Sequence, residues 1–182
     1  MARPDSEGIR RKALVNAAIA QVGTSGLDVT VAAIARQAGM SPALAHHYFG
    51  GKAQMLEGAM RQILADYSSA VREGLSGSGD RLASIVSASV APENFRPLTV
   101  AAWLVFYVEA QRSDWARRLL RIYQLRLRSN LRHALRSEGH PRAAEAAETV
   151  AALIDGTYLR AVTEPRFDGR AAVARILAAV RA

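Results

Sequence analysis

Cysteine is absent from the 182 residues, which excludes disulfides and thiolate metal sites and suits a reducing, cytoplasmic compartment. Apolar runs long enough to span a bilayer are also missing. The start, Met1 to Lys12, is polar and charged and lacks the apolar centre of a signal peptide. Hairpin signals are scarce: Asp155-Gly156 and Asp168-Gly169 lie in or beside helical patterns, not between alternating runs. Catalytic signatures are lacking too. There is no GxSxG, P-loop or GxGxxG, and no nucleophile-base-orienter set. The four histidines, His46, His47, His133 and His140, have no cysteine partner and no HExxH context. No metal or cofactor is expected, and an enzyme has little to stand on.

What is present is an apolar half of the chain, enough for a buried core, and a net charge of +8. The charge suits a nucleic-acid partner, but its placement weakens that reading. Residues 1–60 carry six Lys/Arg against four Asp/Glu, whereas residues 112–142 carry nine Arg against Asp114 and Glu138. The run Arg117, Arg118, Arg121, Arg126, Arg128, Arg132 and Arg136 reads most simply as a solvated helix face. Arg outnumbers Lys 22 to 2, which with so much Ala reflects base composition more than physics.

Apolar residues recur every three or four positions nearly throughout, which predicts an all-α chain. A first helix is expected over Ile9–Val22, ended by Gly23 and Gly26. Thr30 is placed to cap a short helix over 31–38, closed by Gly39. Ser41 is placed to cap a third, with Pro42 at its first position, where a missing N–H costs nothing. After Gly50-Gly51 a long helix is expected over Lys52–Glu73. The Gly- and Ser-rich run 74–79 reads as a turn. Further helices are expected over Asp80–Val90, Pro97–Arg112, Asp114–Ser137, Pro141–Val162 and Asp168–Arg181.

The informative segment is TVAAIARQAGMSPALAHHYF, Thr30 to Phe49: two short helices joined by a glycine turn. A helix-turn-helix needs a small residue where its helices approach, here Ala35, and a glycine able to take positive φ, here Gly39. An ordinary helical hairpin in a core is the bland alternative. It leaves polar Gln37, Ser41, His46 and His47 unexplained around a helix too short to bury much.

This segment, continued through Tyr48-Phe49 and Lys52 in HHYFGGKAQML, resembles the TetR family of bacterial regulators. Within it, IRRKALVNAAIA, HYFGGK, EGAMRQI, AAWLVFYVE and AALIDGTYLRA are similar to the BetI-type, choline-responsive repressors of glycine betaine synthesis. The resemblance implies a three-helix DNA-binding head, residues 1–51, and a helical ligand-binding and dimerising body, residues 52–182. It implies that Thr30, Ser41, Tyr48 and Lys52 meet operator phosphates, which position without reading sequence. Pro42, Ala43, Leu44, His46 and His47 would lie at base edges, where His can hydrogen-bond and Ala or Pro can touch a thymine methyl. Phe49 would pack in the head. Many members have Leu-Tyr where this chain has Ala45-His46, so its operator is expected to differ.

In the body, 100–107 is apolar on all faces and predicts a buried central helix. It carries Trp103, Phe106 and Tyr107, with Glu109 just beyond; other helices add Phe95, Trp115, Tyr123 and Tyr158, and Asp155 sits within an otherwise apolar stretch. Aromatics near a carboxylate are what a quaternary ammonium ion needs, because its charge donates no hydrogen bond. Plain core packing is the competing reading for each ring. The resemblance adds choline or betaine aldehyde as effector, with a larger hydrophobic effector as the alternative. Gly156 sits mid-helix, at about 1 kcal/mol against Ala, which a close helix approach would offset. The resemblance makes the last two helices, with Gly156, the homodimer interface; close packing within the chain is the alternative.

Overall fold

Local capping chemistry sets the start of the fold. In the computed structural model, which describes residues 6–77, 79–91, 95–164 and 167–181, α1 (Ser6–Ser25) leads through a 3-10 turn (Gly26–Asp28) to α2 (Val31–Gln37) and α3 (Pro42–Phe49). The Thr30 hydroxyl accepts from the Ala33 N–H at 3.1 Å, and the Ser41 hydroxyl accepts from the Leu44 N–H at 3.2 Å. Each bond satisfies an otherwise orphaned donor and stabilises its helix by about 0.5–2 kcal/mol. Between them the chain reverses at Gly39, φ 68°. The Met40 N–H reaches the Ala35 carbonyl and the Gly39 N–H reaches that of Arg36, the paired bonds of a Schellman cap.

The remaining helices are α4 (Lys52–Gly77), α5 (Arg81–Ser89), α6 (Pro97–Glu109), α7 (Asp114–Ser137), α8 (Ala143–Ala161) and α9 (Gly169–Arg181). No strand occurs among the described residues, and none of the described helices is long and apolar enough to cross a membrane. Residues 1–5 of the polar start fall outside the described residues. Two expected breaks are helical instead. Gly23 lies inside α1, and Gly74 lies inside α4, which therefore runs into the Gly- and Ser-rich segment.

Two apolar clusters form. The head's cluster gathers Leu14, Ala18 and Val22 of α1, Ile34 and Ala35 of α2, and Ala45 and Tyr48 of α3. It closes only with Met55, Leu56 and Ala59 from the first turns of α4 and Ala102 from α6. The body's cluster takes Met60 and Val71 of α4 together with α5 to α9. One helix thus serves both cores, and the expected boundary at 51/52 falls at its first residue. The far end of the body is tied by Arg181, whose guanidinium meets Asp80 at 2.7 Å and Glu138 at 2.7 Å. That raises the Arg181 pKa and lowers that of Asp80.

The head and body also touch backbone to backbone. A Cβ at Gly23 would stand 2.4 Å from the Leu98 carbonyl oxygen, far inside contact distance. Gly23 is therefore a crossing point of α1 over the start of α6 and not a helix stop.

Candidate nucleic-acid interface and effector cavity

On α3, Pro42, Ala43, His46 and His47 are exposed, while Ala45 is fully buried and Leu44 half-buried. The exposed four fall on one face because the helix is held from behind. Arg11 donates to the Tyr48 carbonyl at 2.7 Å and stacks over the Phe49 ring at 5.0 Å. Arg10 donates to the Tyr48 hydroxyl at 3.4 Å. Phe49 in turn rests on α4, where a Cβ at Gly58 would come within 2.9 Å of its ring. Thr30, Ser41 and Lys52 are exposed beside this face. Tyr48 differs from them: its ring belongs to the head's core, and its hydroxyl is engaged by Arg10.

His46 Nδ1 lies 3.0 Å from the Gly50 carbonyl. A carbonyl only accepts, so Nδ1 carries the proton and Nε2 of the neutral ring is left as an acceptor. An acceptor there complements the amino groups that cytosine and adenine present in a major groove.

The cavity of about 680 Å³ lies where α1, α4, α6, α7 and α8 meet. Its buried wall is aromatic: Trp103, Tyr123 and Tyr158, with half-buried Tyr67 beside them. Ring centroids stand 4.9 Å apart for Trp103–Tyr123, 5.5 Å for Tyr67–Tyr123 and 6.5 Å for Trp103–Tyr158. At such spacings one cation can sit within about 6 Å of several ring centres. Fully buried Ser89 sets two of the rings. Its carbonyl accepts from Tyr158 at 2.6 Å, and its hydroxyl bonds that of Tyr67 at 3.3 Å.

Tyr107 and Asp155 stand behind this wall. The Tyr107 hydroxyl donates to Asp155 at 3.0 Å. Burial raises the Asp155 pKa, opposed by the Tyr107 bond and by Arg128. The carboxylate is felt throughout the cluster. Burial pushes Tyr67 up to about 12, and burial also raises Tyr107, Tyr123 and Tyr158, with Asp155 adding to each. All four phenols are therefore neutral donors near pH 7.

Of the six residues expected at an effector, the structure brings Trp103 and Tyr158 to the cavity wall, with Tyr107 and Asp155 paired behind it. Phe106 is buried on the other flank of α6, edge-on to Trp115 at 5.9 Å. Glu109 ends α6 and does not line the cavity. Tyr123, one of the further aromatics the sequence offers, also lines the cavity, and Tyr67 and Ser89 complete the site without having been expected there. Among the described residues no group of three His, Asp or Glu side chains gathers to hold a metal ion.

On α8, buried Val150, Ala151, Ile154 and Tyr158 face the core, while Ala152, Leu153 and Leu159 are exposed. A Cβ at Gly156 would meet nothing within 4 Å. Close packing within the chain therefore does not account for this glycine.

Residues 14–59 match the description "Bacterial regulatory proteins, tetR family", and residues 78–182 match "BetI-type transcriptional repressor, C-terminal". The chain is 52% identical over 159 residues to the HTH-type transcriptional regulator BetI of Agrobacterium fabrum, covering 85% of this chain and 77% of that protein. It is 46% identical over 166 residues to the regulator of the same name from Brucella canis, covering 88% and 83%. Among solved structures, a putative transcriptional regulator from Pseudomonas aeruginosa superimposes with a TM-score of 0.81 at 25% identity, covering 97% of this chain and 89% of that one. A putative transcriptional regulator from Saccharomonospora viridis, solved in complex with choline, gives 0.81 at 21% identity, covering 92% and 93%.

Proposed function

The chain belongs to the TetR family of bacterial transcriptional regulators and carries a BetI-type repressor body; from that premise we propose that a small quaternary ammonium cation of the choline or betaine aldehyde type sets its operator affinity. It is a transcriptional repressor and not an enzyme. The observation that carries the choice of effector is the half-buried Asp155 carboxylate, held by the Tyr107 hydroxyl behind the aromatic wall of the cavity. A trimethylammonium group has no N–H to donate, so ring faces and one anion must replace its water. A desolvated cation–π contact is worth about 2 kcal/mol, and two or three with a carboxylate reach micromolar affinity. The Saccharomonospora viridis regulator of the same fold was solved in complex with choline, which supports this reading.

On DNA, Pro42, Ala43, His46 and His47 meet base edges, with Leu44 behind them. Thr30, Ser41, Lys52 and the Tyr48 hydroxyl meet phosphates. The head spans 1–51 and the effector and dimer body 52–182. Two heads are presented to a partly palindromic operator by a homodimer that pairs α8 and α9, with Gly156 at the contact. Effector binding favours one spacing of the heads over another.

Titration calorimetry with choline and with its neutral isostere, carbon in place of nitrogen, tests the effector. Choline is expected to bind at micromolar Kd, the isostere at least tenfold more weakly, and Trp103→Ala to lose choline. Equal binding of the isostere, or choline binding unchanged in Trp103→Ala, overturns the cage. The same protein is expected to shift its own upstream DNA, steeply less so as salt rises.

A further inference from the structure

The cavity is larger than a small amino alcohol fills, since about 680 Å³ falls in the range of pockets for drug-sized ligands. Its two ends also differ in character. The buried end is the wall of Trp103, Tyr123 and Tyr158. The exposed end carries Lys12 from α1 and Arg96 from the residue preceding α6, together with Asp66 from α4. Asp66 accepts from Gln62 at 2.7 Å. Neither Lys12 nor Arg96 makes an ion pair among the described residues. One cavity therefore joins a buried surface suited to a quaternary cation to an exposed pair of uncommitted cations.

We propose that the ligand the cavity fits best is a trimethylammonium zwitterion, its ammonium against the aromatic wall and its carboxylate or phosphate between Lys12 and Arg96. This rests on the quaternary-ammonium reading above and extends it to the other end of the molecule. Choline, which has no anionic group, fills only the inner half. A carboxylate or phosphate offers Arg96 two acceptor oxygens for a bidentate contact and Lys12 a point charge. Asp66 opposes an anion there, so the rim favours one by the net difference of two cations against one carboxylate.

The placement of Lys12 gives the anion a mechanical consequence. Lys12 follows Arg10 and Arg11, the two residues that hold the recognition helix through the hydroxyl and carbonyl of Tyr48. On the same helix, Asn16, Ile19 and Ala20 also line the cavity. A ligand gripped at both ends spans body and head, so its binding free energy depends directly on how α1 sits against α6. A ligand confined to the aromatic wall acts on the head only through α4 and α6.

Titration of the full chain with choline, carnitine and phosphocholine tests the proposal, with operator affinity measured in each case. At least one zwitterion is expected to bind tenfold or more tightly than choline and to change operator affinity more at saturation. Carnitine and phosphocholine separate a carboxylate from a phosphate as the preferred anion. Arg96→Gln and Lys12→Gln are each expected to reduce the ratio of zwitterion to choline affinity by about tenfold. If choline binds as tightly as both zwitterions, or if neither variant changes the ratio, the anion site is wrong while the aromatic cage stands. If none of the three ligands binds, both fall together.

Discussion

The Tyr107 hydroxyl donates a 3.0 Å hydrogen bond to the Asp155 carboxylate, and that contact keeps an acid inside an aromatic cluster. The acid is kept at a cost in stability. With the Asp155 pKa raised by burial, the folded chain holds its proton more tightly than the unfolded chain. Stability therefore falls as pH rises from the ordinary carboxylate range through the raised folded value. A bound cation acts in the opposite sense because it favours the ionised form.

Choline affinity is accordingly expected to be weak where Asp155 is protonated, to rise with pH through its raised pKa by up to about tenfold per unit, and to level off above it. Calorimetry between about pH 4 and pH 8 measures this directly. Asp155→Asn should bind choline more weakly and with a flat profile. A flat profile in the unsubstituted protein would remove Asp155 as counter-ion.

The head was legible in the sequence because its signals are local. Thr30, Gly39, Ser41-Pro42 and Gly50 each act on their own turn, and the structure places each where its chemistry requires. Gly23 was misleading for the opposite reason. Locally a glycine ends a helix, but here the Leu98 backbone 2.4 Å from its missing Cβ makes it a crossing point. The cavity was half legible. Trp103 and Tyr107 stood out because one apolar helix carries them, yet Phe106 could not be separated from them by composition. A helix turns by about 100° per residue, so Phe106 and Tyr107 fall on opposite flanks of Trp103. Tyr67, Ser89 and Tyr123 come from three other helices, and only tertiary packing brings them to the wall.

The crossing of α1 over α6 yields the second prediction. In Gly23→Ala the new methyl meets backbone, which cannot swing aside as a side chain can. Overlap of this kind costs about 1–3 kcal/mol, and thermal unfolding is expected to move down by roughly 2–4 °C for each kcal/mol. Because the displaced contact joins head to body, operator affinity and its response to effector should change together. A variant with unchanged Tm and unchanged operator affinity would show that α1 and α6 do not cross as closely as this.

Gly156 gives the contrasting case and the last prediction. A Cβ there meets nothing within 4 Å of its own chain, although a mid-helix glycine costs about 1 kcal/mol against alanine. A position with open space in the protomer gains nothing from glycine unless another molecule approaches it. Exposed Ala152, Leu153 and Leu159 share that outward face, so the surface around it is apolar and unpaired in one chain. A second copy meeting it across a two-fold axis would set Gly156 near its mate. Gly156→Leu is then expected to fold, since its own chain leaves room, but to shift the protein from dimer to monomer. It should also lose operator binding by far more than any contact on α8 would explain. Sedimentation at micromolar concentration with a parallel DNA titration separates the outcomes. A Gly156→Leu variant that still sediments as a dimer and binds operator normally would place the interface on another face, and a wild-type monomer would remove it altogether.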